Sequence, residues 1–420
     1  MNPPFKVAPI ACPPELATRI LNDATLSRTR DLARKLLATG LNAGSGYSEI
    51  WIRDFATFIE LALEVTEAAA IRKALLVFFN FQGEDGNIVD GYVPEINRSV
   101  CPYKYRKSAA QPGLLAHKNT VETDQESSLV QAIYIYVRAT GDESILDLKV
   151  AGVTVVERLR RAMDYLNQER LSPEHGLLWG GNTVDWGDMQ IGRAWGTELQ
   201  PDDTRAISIY NNAMWVMALH QLGELQPAEA IKWREWEQRA RDNIRLHLWD
   251  AERQKFRPHI HLDGYPFPPD FDEAPIWYHG GTAVAAQAGL LTVEELSNSL
   301  AAMRRNVRES GMPTLGITSY PIYPEHLTVA DGLKAYAYQN GGDWPWLGGR
   351  MVQALADHGL VAEAYEVLLP MAERSVRDGD FNEWYNRENQ GAGSWQFRGA
   401  AGVLATAIDR LRAAALGVVS

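Results

Sequence analysis

Glu383 stands in the stretch DFNEWYN, residues 380–386, among Phe381, Trp384 and Tyr385. On a solvated surface so many rings would serve little, and in an ordinary core an ionised Glu needs a partner or a shifted pKa. A pocket for a ligand that is both ring-shaped and polar, such as a sugar, accounts for both. Two further carboxylates lie in GLLWGGNTVDWGDMQIG, 176–192, where Asp185 and Asp188 flank Trp186 and Gly187. Carboxyls this close beside an indole suit acid–base chemistry, because like charge and an apolar wall both raise a carboxyl pKa. Helix N-capping is the plainer use of an Asp there.

Other clusters are built to hold rather than react. In GYSEIWIRDFATF, 46–58, Arg53 and Asp54 follow Trp51. Arg donates in a rigid fork, Asp accepts, and an indole covers the C–H face of a sugar. A salt bridge at a helix start is the alternative. In NTVETDQESSLV, 119–130, Glu122 and Asp124 crowd the start of a helix, where the dipole favours acids with or without a ligand. YAYQNGGDWPWLGGRM, 336–351, sets Asn340, Trp344 and Trp346 around glycines and a Pro suited to a first helical turn. Trp395 lies in GSWQFRGAAGVLATA, 393–407. The pair His259 and His261 would face one side of a strand, but no further Cys/His cluster lies nearby in the sequence, so a metal is not expected. The basic KYRK, 104–107, reads as a solvated patch that could also meet an anionic sugar.

The elements that must position these groups are helical. Leu129, Ala132, Ile133, Tyr136 and Val137 follow the i, i+3, i+4 rule, as do Ile207, Met214, Ala218 and Leu222, and Leu404, Ile408, Leu411 and Ala415. Roughly a dozen paired helices are expected, with few short strands, KFRPHIHL at 255–262 being one. The long loops 83–120 and 253–281 carry aromatics and prolines and read as ordered and functional. Paired helices in one domain spanning 1–420 predict an all-α helical toroid, an (α/α)6 barrel, with an irregular solenoid as the alternative.

Composition narrows the function. A net charge of −12 disfavours nucleic acid and anionic membranes as partners. Two cysteines, Cys12 and Cys101, build no disulfide framework and fit a reducing compartment. With no secretory leader or membrane-length apolar run read in the sequence, the expected location is the cytoplasm. Self-association stays open.

Taken in order, YSEIWIRDFATFIELAL, VDWGDMQIG…AISIYNNAMWVMAL, YQNGGDWPWL and NEWYN…SWQFRGAAGVL resemble the motifs of the neutral/alkaline invertases, helical-barrel glycoside hydrolases that cleave sucrose. The resemblance spans 47–410. It implies Asp185 as general acid and Glu383 as general base of an inverting reaction, with Asp188 as the alternative acid. It implies Arg53 and Asp54 as the grip on the nonreducing sugar, walls from Asn340, Trp344 and Trp384, and no cofactor. The chain departs from the family where VETDQESSL replaces VDSGFWW, and where WGD follows Asp185 in place of paired arginines. Sucrose is the first expected substrate. An α-glucosidase for trehalose, glucosylglycerate or an oligosaccharide is the second reading, and a non-catalytic sugar-binding or regulatory protein the third.

Overall fold

The computed structural model describes residues 12–99, 101 and 103–417. Its helices, in chain order, are α1 (Pro14–Leu21), α2 (Ala24–Leu37), α3 (Ile52–Leu63), α4 (Ala68–Asn80), α5 (Gln125–Thr140), α6 (Ser144–Asp147), α7 (Val155–Glu169), α8 (Ile209–Leu225), α9 (Ala230–Asn243), α10 (His279–Gln287), α11 (Val293–Ser310), α12 (Pro345–Asp357), α13 (Val361–Asp378) and α14 (Arg398–Ala415). Among the described residues, α3, α5, α8, α10, α12 and α14 each pack on the next, and α14 returns to α3. That closed inner ring is wrapped by α2, α4, α7, α9, α11 and α13, giving the (α/α)6 toroid.

Burial follows from this placement. The inner helices are covered on nearly every face, so α8 and α12 are buried almost all round. Outer helices such as α7 keep one apolar stripe, with Leu159, Met163 and Leu166 inward. Each fully buried Leu, Ile or Phe contributes roughly 1.5–3 kcal/mol. The inner helices approach closely where side chains vanish: a Cβ on Gly402 of α14 would come 2.3 Å from Phe58 Cβ on α3. A Leu there would wedge the first and last inner helices apart.

The helical periodicity that runs through 15–38, 54–80 and 144–167 is in each case divided between two helices, and that of 227–250 ends in a π-helical turn at Ile244–Leu248. The expected strand at 255–262 is two short pieces with different partners. Lys255–Phe256 pairs with Trp249–Asp250, and Ile260–His261 with Arg205–Ile207. Within the loop at 83–120, Gly91–Pro94 pairs antiparallel with both Ile50–Trp51 and Leu114–His117. Among the described residues no helix is long and apolar enough to cross a membrane.

Candidate active site

The inner helices all begin at one end of the barrel. Arg53 and Asp54 lie in the first turn of α3, Glu122 just before α5, Trp344 and Trp346 at the start of α12, and Phe397 just before α14; all line one cavity of about 240 Å³. Tyr210 in the first turn of α8 and Gly281 in that of α10 bond to residues at the same end. Converging helix N-termini favour negative charge there. The cavity is smaller than the roughly 300–1,000 Å³ of drug-sized sites, so it suits a small ligand.

Rings wall it. Trp186 meets Trp344 edge-on at 4.8 Å and Tyr338 lies 5.0 Å from Trp344. Trp51 and Tyr103 also line it and pack around His117, Tyr103 stacked on it at 4.1 Å. Glu383 and Asp188 line the same cavity.

Glu383 accepts from Tyr47 Oη at 2.8 Å and from Ser394 N–H at 2.7 Å. Burial pushes its carboxyl up to about 7, against those two hydrogen bonds, and the nearby charges of Asp54 and Asp188 push the same way. Gly393 makes the fit possible. Its φ is +71°, and a Cβ there would come 2.4 Å from Glu383 Oε2. Asp188 accepts from Gln339 Nε2 at 2.6 Å and from Trp195 Nε1 at 3.3 Å.

Asp185, three residues earlier, does not line the cavity. It adopts φ 53° and points into the barrel wall, where Gly281 N–H donates to both its oxygens at 2.8 and 3.1 Å. Burial pushes it up to about 8 against those N–H bonds. Such a carboxyl would titrate well for a general acid, but the acid must reach the scissile oxygen, and geometry comes first.

Arg53 is gripped by Asp124, its Nε and Nη2 donating at 2.6 and 3.0 Å, and its Nη2 is also paired with Glu122. Burial opposes its charge, but Asp124 and Glu122 outweigh this and hold its pKa above the usual arginine value. Burial raises Asp54 to about 7 against the pull of Arg53, and it raises Asp90 and Glu122.

Of the residues singled out in the sequence, Trp51, Arg53, Asp54, Glu122, Trp186, Asp188, Trp344, Trp346 and Glu383 line the cavity. Asp124 lies behind it as the clamp on Arg53. Asn340, expected in the wall, is instead a fully buried loop brace, accepting from Tyr323 N–H and donating to the carbonyls of Tyr323 and Leu333. Its neighbour Asp343 forms a buried, two-pronged pair with Arg374 at 2.8 and 2.9 Å. The NGGDWP stretch is therefore largely scaffold. Trp384 lies outside the cavity lining, and Trp395 is 64% exposed. Lys104 and Lys107 of the basic run are paired with Glu198 and Glu95.

Sequence reasoning missed Tyr47, Asp90, Tyr103, Trp195, Tyr338 and Gln339. Tyr47 stands in the quoted GYSEIWIRDF, and Tyr338 and Gln339 precede NGG, so proximity to marked motifs was the available signal. Asp90 and Trp195 lie in loops without periodicity.

His259, His261 and Glu273 are the described residues whose donor atoms, within 4.8 Å of one another, could hold a metal. They are bonded to each other: Glu273 meets His259 Nδ1 at 2.8 Å and His261 Nε2 at 2.9 Å. His259 Nε2 donates to the Thr183 carbonyl at 2.8 Å, which braces the loop leading to Asp188.

Residues 68–378 match the amylo-alpha-1,6-glucosidase family. The chain belongs to that family. It is a glycoside hydrolase. No curated protein matches by sequence. Among solved structures, the GH63 mannosylglycerate hydrolase of Thermus thermophilus in complex with glucose is 18% identical, with TM-score 0.65 over 90% of this chain and 99% of that one. A rhamnosidase of Klebsiella oxytoca with rhamnose bound is 16% identical, with TM-score 0.57 over 94% of this chain and 65% of that one. These likenesses establish the shared fold. The expected helical-barrel glycosidase is thus supported, while the family matched is a glucosidase family and not the invertases.

Proposed function

We propose that this amylo-alpha-1,6-glucosidase family member is an inverting glycosidase for a short, neutral α-glucoside, with Asp188 as general acid and Glu383 as general base. The observation that carries this is the two carboxyls facing one ring-walled cavity from separate loops. Inversion needs an acid on the leaving oxygen and a base on a water at the opposite face of the sugar. Glu383 is poised to ionise near neutrality, as a base requires. Tyr47 and Ser394 fix its direction. Asp188, steered by Gln339 and Trp195, protonates the leaving oxygen.

Charge argues for a neutral aglycone. Asp54, Asp90, Glu122, Asp188 and Glu383 line the cavity with Arg53, which Glu122 and Asp124 already hold. Among the described residues no lining cation is left to receive a glycerate or phosphate. This reading sets glucosylglycerate aside, although a structural relative is described as a mannosylglycerate hydrolase. The family match favours isomaltose-type glucosides over sucrose. Two unpaired cysteines fit a reducing, cytoplasmic setting.

The test is turnover of isomaltose, maltose, trehalose, kojibiose, sucrose and glucosylglycerate, with the product anomer followed by NMR. Release of β-glucose from a neutral α-glucoside, abolished in Glu383→Gln, is the expected result. Retention of configuration, or preference for glucosylglycerate, would overturn it.

A further inference from the structure

A second cavity, about 120 Å³, lies on the barrel axis and is lined from all six inner helices. Its chemistry is the reverse of the first. Arg53, Arg138, Arg350 and Arg410 line it, with Glu60 as the lining carboxylate. Arg410 is paired with Asp357 at 2.5 Å, and Arg53 with Asp124 and Glu122.

Arg350 is different. It is only 5% exposed, yet among the described residues no carboxylate bonds to it. Its Nε donates to Gln287 Oε1 at 2.7 Å, its Nη2 faces Met214 Sδ at 3.4 Å, and its Nη1 has no partner. Gln287 is itself tied to Gln353, and Gln353 to the Val403 carbonyl, so neither glutamine is free to turn. A guanidinium stays charged in a protein, and the burial of this one is offset only in part, by the Tyr210 hydroxyl and by the charge of Asp124, which Arg53 already holds. Burial indeed disfavours the charged form of Arg350.

We propose that this axial cavity binds a small inorganic monoanion, of the chloride class, on Arg350. The volume holds about four waters, or one monatomic anion with fewer. A divalent oxoanion would demand more donors than the one open guanidinium nitrogen and the tied amides supply. Arg53 lines both cavities, so the anion also faces the back of the residue that shapes the sugar site. Occupancy therefore steadies the barrel and sets the posture of Arg53. The assignment does not depend on which carboxyl is the catalytic acid.

The experiment uses the full chain, dialysed free of halide, with ionic strength held constant by the bulky buffer anion MES. Sodium chloride, bromide or phosphate replaces MES stepwise while melting temperature and kcat/KM are read. A saturable rise in melting temperature with chloride and bromide is expected, with a parallel change in kcat/KM, both lost in Arg350→Gln. Bromide-soaked crystals should show an anomalous peak beside Arg350 Nη1, a readout that survives if the variant fails to fold. A wild-type response that never saturates, saturation by phosphate alone, or no bromide peak would each overturn the proposal.

Discussion

The two cavities of the barrel are made by the same six helices and are opposite in chemistry. At the end where the inner helices begin, the lining is carboxyls and aromatic rings. Further along the axis it is arginines, glutamines and methionines. Backbone dipoles supply part of the reason, since N-termini favour acids and the far end of each helix favours cations. Side-chain pairing supplies the rest. Arg53 faces both cavities, and its bond to Asp124 ties the acidic end to the basic one. Chemistry at the first cavity thus rests on an electrostatic arrangement that extends through the barrel.

The largest expected break in this contrast is Glu383→Gln, which leaves shape intact and removes the proposed base. Its kcat should fall by about 10²–10⁴. The same variant sharpens the contrast through stability. Glu383 has a folded pKa raised to about 7, so the folded state holds this proton longer than the unfolded chain does. Its stabilising contribution is full below pH 4.5 and lost as pH rises through about 7. Glu383→Gln should therefore gain stability over wild type across that window, on the order of 3 kcal/mol by about pH 8. Paired melts at several pH values check the sign; no pH dependence of the difference would show that burial does not raise this carboxyl.

Arg53→Met cuts the link between the regions. It leaves Asp124 and Glu122 buried without their cation, and should cost about 3–5 kcal/mol of stability in urea unfolding. A smaller effect follows from Tyr47→Phe, which removes one donor to the Glu383 carboxylate. Its loss should move the acidic limb of kcat/KM, centred near pH 7 in wild type, to higher pH. At about pH 6 the rate should drop about tenfold, as for one hydrogen bond to a charged group. An unmoved limb would exclude Glu383 as the group titrating there.

Much of this was legible in the sequence. The 3.6 periodicity of helices such as α5 and α14 gave the toroid, and Glu383 was marked as a pocket residue, although the rings that line the cavity come from other segments and not from Phe381, Trp384 or Tyr385 beside it. The helix boundaries at 21–24 and 63–68 were less legible, because apolar periodicity runs on where the chain turns. Asn340 misled because a Gly-rich turn beside tryptophans reads alike whether it cradles a ligand or braces a loop. Asp185 and Asp188 could not be separated by spacing. The left-handed backbone at Asp185 and the N–H of Gly281 turn one inward, and Gln339, more than a hundred residues away in sequence, holds the other outward.

The proposed division of roles between the two aspartates is tested by kcat of Asp185→Asn and Asp188→Asn side by side on the α-glucoside hydrolysed fastest. A loss of about 10²–10⁴ is expected for Asp188→Asn. No more than about tenfold is expected for Asp185→Asn, whose amide oxygen can still accept from Gly281. A near-complete loss at Asp185 with Asp188→Asn still active would contradict that division.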